Sequence, residues 1–286
     1  MSGTFFLGLG GQKCGSSWMQ AYLARQPGSD FGRLGEYQIW EADLGGPFAR
    51  YRVVEPSPLQ RLRGAAKRGL GLAEPKNSLR WRMQTNRDAY FRYFNGLLAK
   101  PDVIRTGDIT PSYAALPAQT LAQIRDGFAT RGVAVKALFS MRDPVARLRS
   151  HLRMDQQKGY RPASGDESAD LRGFFKSEEA AARMRYDRTL DALEQVFDPD
   201  HRFVCLFEEL FTPAGIAAFA AFCGVPADPA AGARQVNARH SGGNALPDDL
   251  TAEITAHYAP VYRAVARRLP QIATLWPSAR FVPTNA

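Results

Sequence analysis

A short apolar run that ends in glycines constrains the fold of this chain more than any other feature. The run from Thr4 to Leu9 is rich in aromatic residues and stops at Gly10 and Gly11, which is typical of a buried parallel strand. Residues 16–25 then have helical spacing, and Pro27 ends that pattern. The sequence therefore predicts a strand, a glycine-rich loop and a helix, an order that presents backbone N–H groups to an anion at the sheet's carboxyl edge.

The alternation of strands and helices continues along the chain. Further strands are predicted at 103–105, 133–140 and 202–207. Helices are predicted at 117–130, from 144 onward, at 213–223 and at 248–269, and the first three of these begin at prolines, which a first helical turn tolerates. This order indicates a three-layer α/β/α fold around a central parallel sheet. With 286 residues, the whole of 1–286 is expected to be one domain.

The segment from Arg50 to Arg82 departs from this pattern. It holds nine Arg or Lys residues against two acids, Glu55 and Glu74, a net charge of +7. We interpret it as a basic insertion on the surface. It either binds an anionic molecule such as a polysaccharide or is a solvated face.

The overall composition and charge indicate which class of partner and which cellular compartment to expect. A net charge of +9 and a pI of 9.7 favour anionic partners such as nucleotides, phosphates, sulfated glycans or nucleic acid. No apolar run approaches the roughly 20 residues of a bilayer-spanning helix, and the start lacks a signal-peptide pattern, so a cytoplasmic location is expected. Cys14, Cys205 and Cys223 are spaced for neither a zinc site nor a disulfide framework, and they are expected to be reduced thiols.

The loop after the first strand is an unusual phosphate loop. Gly10 and Gly15 have the P-loop spacing, but Ser16 stands where nucleoside triphosphatases carry the lysine that reaches the β- and γ-phosphates. Here the cation is Lys13, inside the loop, which argues against an ATPase or a conventional kinase. Lys13 also stands where a dinucleotide fingerprint beginning at Gly8 needs its third glycine. Taken alone, the loop can also be a tight turn with a solvated lysine.

A second segment suits an anion at the same edge of the sheet. The strand ending at Ser140 delivers Arg142 to the carboxyl edge, and Pro144 then starts a helix on which Arg147 and Ser150 share a face. The planar guanidinium of arginine can donate two hydrogen bonds to a phosphate, and a hydroxyl can donate a further one to the same group. The alternative is a basic amphipathic helix with a capped start.

These segments together resemble the sulfotransferases that use 3′-phosphoadenosine 5′-phosphosulfate (PAPS). Residues 12–18, Gln-Lys-Cys-Gly-Ser-Ser-Trp, are similar to the family's 5′-phosphosulfate loop Q-K-x-G-T-T, with serines in place of threonines. Residues 142–150 match the 3′-phosphate motif R-[DN]-P-x-x-R-x-x-S at every specified position. Residues 106–113, 207–213 and 237–242 resemble weaker family signatures, and the resemblance runs from Phe5 to about Trp276, apart from the insertion.

The resemblance implies a P-loop-like fold and a metal-free transfer of the sulfuryl group from PAPS to a hydroxyl or amine, possibly of a carbohydrate. It is closer to the bacterial and carbohydrate-type branch, because the steroid and phenol branch uses a histidine ahead of the 3′-phosphate motif and none occurs here before His151. The residues that it implies for PAPS binding are Lys13, Cys14, Gly15, Ser16, Ser17, Trp18, Arg142, Ser150 and Arg239.

The resemblance also implies catalytic residues. Lys13 would place charge on the leaving phosphate. Glu36 is nominated as the base, because family members that act on sugars carry a Lys-Glu pair there, although the lysine is absent and Gly35 stands in its place. Asp108 is the second candidate. Tyr37 and Trp40 are expected to form an acceptor wall, and His151 is expected on a helix surface.

Two other functions compete with this interpretation. A nucleotide-dependent kinase of the P-loop class agrees with the fold and the loop position, but it would need Mg²⁺. A nucleic-acid-binding protein agrees with the pI, but no recognised nucleic-acid motif is present. The acceptor, the choice between O- and N-sulfation and the oligomeric state do not follow from the sequence.

Overall fold

A parallel four-stranded sheet lies at the centre of the computed structural model, which describes residues 3–233 and 245–283. The strands are β1 (Thr4–Gly8), β2 (Arg105–Ile109), β3 (Ala134–Met141) and β4 (Arg202–Leu206). They lie in the order β2-β1-β3-β4. Leu7 of β1 lies opposite Asp108 of β2 and Ala137 of β3.

Helices cover both faces of this sheet, as predicted. They are α1 (Ser16–Ala24), α2 (Pro58–Gly69), α3 (Lys76–Thr85), α4 (Arg87–Leu98), α5 (Ala118–Ala129), α6 (Pro144–Gln157), α7 (Glu167–Phe174), α8 (Glu178–Ala182), α9 (Tyr186–Val196), α10 (Phe207–Leu210), α11 (Pro213–Cys223), α12 (Asp248–His257), α13 (Ala259–Ala266) and α14 (Ile272–Leu275). The predicted three-layer α/β/α fold is confirmed.

The alternating side chains of β1 divide the core into two parts. Phe5 packs on one face, stacked on Phe128 of α5 at 4.0 Å between ring centroids. Phe6 points to the other face and joins a cluster with Trp18 of α1 and Phe219 of α11. Because successive strand residues point to opposite faces, one aromatic-rich strand anchors both helical layers.

Two predicted elements differ from the structure. The strand predicted at 103–105 begins only at Arg105 and continues to Ile109. The long helix predicted at 248–269 is broken at Tyr258 into α12 and α13. Pro260 explains the break, because proline has no N–H to donate to the preceding turn and its ring crowds that turn's carbonyl.

The basic segment at 50–82 forms a helical pair, α2 and α3. All of α2 except Gly64 is exposed, which agrees with a surface element. In α3, by contrast, Leu79 and Met83 are buried in the main core, so this half of the segment is part of the domain's packing.

Two smaller expectations can be compared with the structure. All three cysteines are free, as expected of reduced thiols. In the described ranges, no helix is both long enough and apolar enough to cross a bilayer.

Candidate active site

An open pocket of about 1650 Å³ lies at the carboxyl edge of the sheet. The segments that follow β1, β3 and β4 all line it, as expected for ligand binding in an open α/β sheet. Pockets for drug-sized ligands are typically about 300–1,000 Å³, so this one has room for a nucleotide and a second molecule. Among its lining residues are Gln12, Lys13, Gly15, Ser16, Ser17, Trp18, Glu36, Gln38, Arg50, Tyr51, Arg142, Arg149, Ser150, Arg153, Lys158, Phe207, Phe211 and Arg280.

The loop between β1 and α1 offers backbone donors to this pocket. The N–H of Gly11 donates to Ser140 O at 2.9 Å, which ties the loop to the end of β3. In the described part of the chain, the N–H groups of Gly15, Ser16 and Ser17 have no hydrogen-bond partner, and no side chain caps α1. Open amides at a helix N-terminus form an anion site, because the helix dipole adds to their partial charge.

The backbone of this loop adopts left-handed conformations. Lys13 has φ of 70° and Gly15 has φ of 93°. A non-glycine residue in that region is strained, and such strain persists where the surrounding structure holds it, often at functional sites. Gln38, another residue that lines the pocket, also has positive φ, at 60°.

Two buried arginines form hydrogen bonds to Gln12 of this loop. Arg147, which matches the second arginine of the 3′-phosphate motif, is fully buried and donates from Nε to Gln12 O at 3.3 Å. Arg183 donates to Gln12 Oε1 at 2.9 Å and to the Tyr51 hydroxyl at 2.8 Å. Arg147 does not line the pocket, so in this structure it positions the loop rather than presenting its charge to a ligand.

Arg142 and Ser150 both line the pocket. The Arg142 guanidinium lies over the Phe207 ring, with Cζ 4.5 Å from the centroid, which orients the charged fork. Helix α6 starts where predicted, because the Asp143 side chain caps it by accepting from the N–H of Val145 at 2.9 Å. The structure thus brings the second motif beside the phosphate loop.

Cys14 and Trp18 contribute differently to the site. The Cys14 thiol is buried beneath the loop near the Tyr186 hydroxyl, and burial raises its pKa to about 11. The thiol does not line the pocket. Trp18 does line it, with its indole N–H donating to Ala231 O at 3.0 Å and its ring edge-on to Phe211.

Glu36 also lines the pocket, in the segment that follows α1. Helix α3 fixes this segment, since Arg80 donates to the carbonyl oxygens of Glu36 at 2.7 Å and Tyr37 at 2.8 Å. The residue is exposed to the pocket, yet desolvation by the surrounding wall raises the pKa of its carboxyl, against the smaller lowering effects of Gln38 and Lys158. A carboxylate with a raised pKa in a pocket is a suitable general base.

Asp108, the second candidate base, lies in the core. Its Oδ2 accepts from the hydroxyls of Tyr90 at 3.1 Å and Tyr113 at 2.7 Å, and its Oδ1 accepts from Thr110 at 2.6 Å. It is fully buried, does not line the pocket, and burial raises its pKa to about 6. The structure therefore does not bring Asp108 to the place where an acceptor would bind.

The acceptor wall predicted from Tyr37 and Trp40 is wrong. Tyr37 is fully buried and donates its hydroxyl to Phe31 O at 2.9 Å, while Trp40 packs edge-on to Tyr90. These aromatic residues belong to the core, because the segment after Glu36 turns inward.

His151 is also misplaced by the sequence interpretation, which put it on a helix surface. It is fully buried, and its Nε2 lies 3.3 Å from Asp155 Oδ2. Burial, together with Arg147 and Arg183, lowers its pKa far below the usual range, so the ring is neutral. With Glu179 these groups have metal-ligand spacing, but the surrounding arginine charges oppose a cation there.

Sequence reasoning missed the basic rim of the pocket. Arg50, Lys158 and Arg280 line it, although they lie far apart in the chain and belong to no recognised motif. Arg50 begins the basic 50–82 segment noted in the sequence, whereas only the high net charge pointed to Lys158 and Arg280. The predicted contact from Arg239, in the 237–242 segment, lies outside the described residues.

Comparison with known proteins supports the fold. No protein-family model matches the chain, and a search of curated proteins finds no sequence match. Among solved structures, the chain is similar to a sulfotransferase from Alicyclobacillus acidocaldarius, with a TM-score of 0.58 and 19% identity over 94% of this chain and 97% of that one. At this identity the likeness shows a shared fold alone, the three-layer α/β/α arrangement described above.

Two further structures have lower similarity. The sulfotransferase domain of the curacin biosynthetic pathway has a TM-score of 0.45 and 18% identity over 81% of this chain and 77% of that one. The sulfotransferase domain of the Synechococcus PCC 7002 olefin synthase has a TM-score of 0.36 and 19% identity over 81% and 76%. TM-scores below about one half carry no further argument.

Proposed function

We propose that this protein is a sulfotransferase that moves the sulfuryl group of PAPS to a hydroxyl or amine of an acceptor. One observation carries the proposal: the open amides of the β1–α1 loop and the oriented guanidinium of Arg142 line the same pocket. A nucleotide with anionic groups at both its 5′ and 3′ positions fits two such anion sites. The helix segment matches the motif expected for the 3′-phosphate, and the loop is similar to the motif expected for the 5′-phosphosulfate, with serines in place of threonines.

The loop is suited to the 5′ end of the nucleotide. The N–H groups of Gly15, Ser16 and Ser17, with the two serine hydroxyls, would bind the 5′-phosphosulfate, and Lys13 would add positive charge to the phosphate as it leaves. Cys14 would shape the loop rather than contact the ligand, since its thiol is directed into the core and its N–H donates to Gly11 O at 3.0 Å.

Arg142 and Ser150 are suited to the 3′-phosphate. The guanidinium can donate two parallel hydrogen bonds to phosphate oxygens, and the serine hydroxyl can donate a third. Trp18 and Phe211 line the pocket with aromatic surface on which a base can pack. Arg239 stays a proposed contact from the sequence motif.

Glu36 would act as the base. It would take the proton from the acceptor as the acceptor's oxygen or nitrogen forms a bond to sulfur and the bond from sulfur to the phosphate oxygen breaks. The products are the sulfated acceptor and adenosine 3′,5′-bisphosphate, and the proton remains on Glu36 until solvent removes it. The reaction needs no metal in this scheme, because Lys13 and the loop amides stabilise the leaving phosphate.

The acceptor would bind beside Glu36, Gln38 and the basic residues Arg50 and Lys158, all of which line the pocket. Polar and charged walls suit a hydroxylated acceptor, and a carbohydrate is one such class. We also propose that the whole chain acts as one catalytic domain in the cytoplasm and does not use nucleic acid as a partner.

Ligand-induced stabilisation tests this function directly. Adenosine 3′,5′-bisphosphate at about 100 times its dissociation constant should add about 2.7 kcal/mol to the free energy of unfolding, or roughly 5–10 °C in melting temperature. ATP with Mg²⁺ should give a much smaller shift, because Ser16 replaces the lysine that reaches its terminal phosphates. Equal shifts from the two nucleotides would argue for a general phosphate loop and against a dedicated 3′-phosphate site.

A further inference from the structure

Helix α2 has an apolar stripe that faces solvent. Leu59, Leu62, Ala66 and Leu70 follow one another at intervals of three and four residues, the spacing that puts side chains on one side of a helix. Leu59 is 56%, Leu62 67% and Leu70 74% exposed. In the parts of the chain that the structure describes, nothing covers these leucines.

The opposite side of α2 packs on the protein and is polar. Gly64, its one buried residue, lies against Ser78 and Glu74. Arg68 donates to Glu74 Oε2 at 2.7 Å, and the Arg61 guanidinium lies over the Trp81 ring. A surface helix of a globular domain usually turns its apolar side inward, so the amphipathicity of α2 is reversed.

Positive charge flanks this apolar stripe. Arg63 and Lys67 are exposed on α2, and neither forms an ion pair within the described residues. The two acids of the 50–82 segment are already engaged, Glu55 by Arg61 at 2.5 Å and Glu74 by two arginines. The solvent side of α2 is therefore apolar along its centre and cationic at its edge.

We propose that α2 docks on the surface of an anionic lipid bilayer. A helix with low overall hydrophobicity, an apolar stripe and Lys or Arg beside it lies in the plane of the bilayer interface, where its leucines enter the acyl boundary and its cations meet lipid phosphates. A second copy of this chain fits less well, because it would bring two segments of net charge +7 together. The proposal does not depend on sulfuryl transfer.

The position of α2 links this surface to the pocket. Helix α2 packs on α3, and α3 holds the pocket wall, since Arg80 donates to Glu36 O and Gln84 donates to Tyr51 O at 2.8 Å. The α2–α3 pair thus connects the proposed docking surface to the wall of the pocket that carries Glu36.

Co-sedimentation of the full-length protein with lipid vesicles tests the proposal. We expect binding to vesicles of phosphatidylglycerol and phosphatidylcholine in equal parts, and little binding to phosphatidylcholine alone. Raising the salt concentration to about 1 M should weaken the binding, because the Debye length then falls to about 3 Å. The double variant Leu62→Ser/Leu70→Ser should bind these vesicles at least about tenfold more weakly.

Matched variants separate docking from general effects. Ile104→Ser changes a partly exposed apolar residue just before β2, at the edge of the sheet away from the pocket, and should bind vesicles like the wild type. Arg63→Gln/Lys67→Gln should weaken binding, whereas Arg25→Gln, an exposed arginine at the end of α1, should not. Melting curves by circular dichroism confirm that each variant is folded.

Any of three results would overturn the proposal. The first is vesicle binding that is the same with and without phosphatidylglycerol, and the second is binding that persists in the leucine double variant. The third is sedimentation equilibrium that shows a dimer which the leucine substitutions dissociate, since a second copy would then occupy the face. A wild-type protein that binds the nucleotide but not the vesicles would contradict docking by α2 and leave the proposed sulfuryl transfer unaffected. The two proposals can therefore fail independently.

Discussion

Replacing Arg142 with alanine should remove the recognition of the nucleotide's 3′-phosphate. The guanidinium is half-buried, lines the pocket and is oriented by the Phe207 ring, so its hydrogen bonds to a phosphate would be charge-assisted and partly shielded from water. A hydrogen bond to a charged group contributes about 1.5–3 kcal/mol, so the dissociation constant should rise roughly 10- to 150-fold.

The assay compares two nucleotides by isothermal titration calorimetry. Adenosine 3′,5′-bisphosphate should bind Arg142→Ala with this loss, while adenosine 5′-phosphate, which lacks the 3′-phosphate, should bind the variant and the wild type alike. Arg142→Lys is the matched control, since it keeps the charge and loses the planar fork, and it should recover only part of the affinity. An equal loss for both nucleotides would place Arg142 at another part of the ligand and refute the assignment.

Four further outcomes follow from the site. Glu36→Gln keeps the shape of the side chain and removes the base, so kcat should fall by about 10² to 10⁴ while calorimetry shows unchanged affinity for adenosine 3′,5′-bisphosphate. As the pH is lowered, kcat/KM of the wild type should begin to fall at a higher pH than it would with a carboxyl of ordinary pKa, because the pKa of Glu36 is raised. This fall at acidic pH should be absent in Glu36→Gln. Lys13→Ala should lower kcat by a larger factor than it lowers nucleotide affinity; an unchanged kcat would contradict its role at the leaving phosphate. Asp108→Asn should keep kcat within about twofold of the wild type, because Asp108 lies outside the pocket, and loss of turnover there with an active Glu36→Gln would move the base to Asp108.

Asp108 also gives a test of stability against pH. Its pKa of about 6 in the folded protein lies above the value near 3.9 of an unfolded chain, so the folded state holds the proton more tightly. The free energy of unfolding of the wild type, relative to Asp108→Asn, should therefore be highest below about pH 4 and fall as the pH rises through about 6. Urea unfolding of both proteins across this range measures the difference, and a difference that rises with pH would contradict the buried assignment.

The sequence predicted the fold, and it predicted that the two motif segments emerge at the same edge of the sheet, for identifiable reasons. Buried parallel strands are short apolar runs, and the Gly10 to Ser17 loop and the Arg142 to Ser150 helix each begin where such a strand ends. These local patterns determine the backbone conformation of each segment and the edge of the sheet at which the segment leaves its strand.

The rest of the site depends on long-range packing, which local patterns do not report. Tyr37 and Trp40 follow Glu36 in sequence, but tight packing against α4 draws them into the core. His151 lies one residue after a pocket-lining serine, yet the helical turn directs it inward among charged groups from α8 and the adjoining chain. Arg50 and Lys158 are separated by more than a hundred residues and meet only at the pocket rim.

The most direct test of the account is transfer from radiosulfur-labelled PAPS. The protein, freed of metal with EDTA, is incubated with the labelled donor and a panel of hydroxylated and amine acceptors, and the products are separated and identified by mass. We expect the label in a product that has gained about 80 Da, together with an equal amount of adenosine 3′,5′-bisphosphate, and we expect no labelled product from Glu36→Gln on the same time scale. A product of that mass formed instead from ATP, dependent on Mg²⁺ and without the sulfur label, would mean phosphoryl transfer and would contradict the central claim.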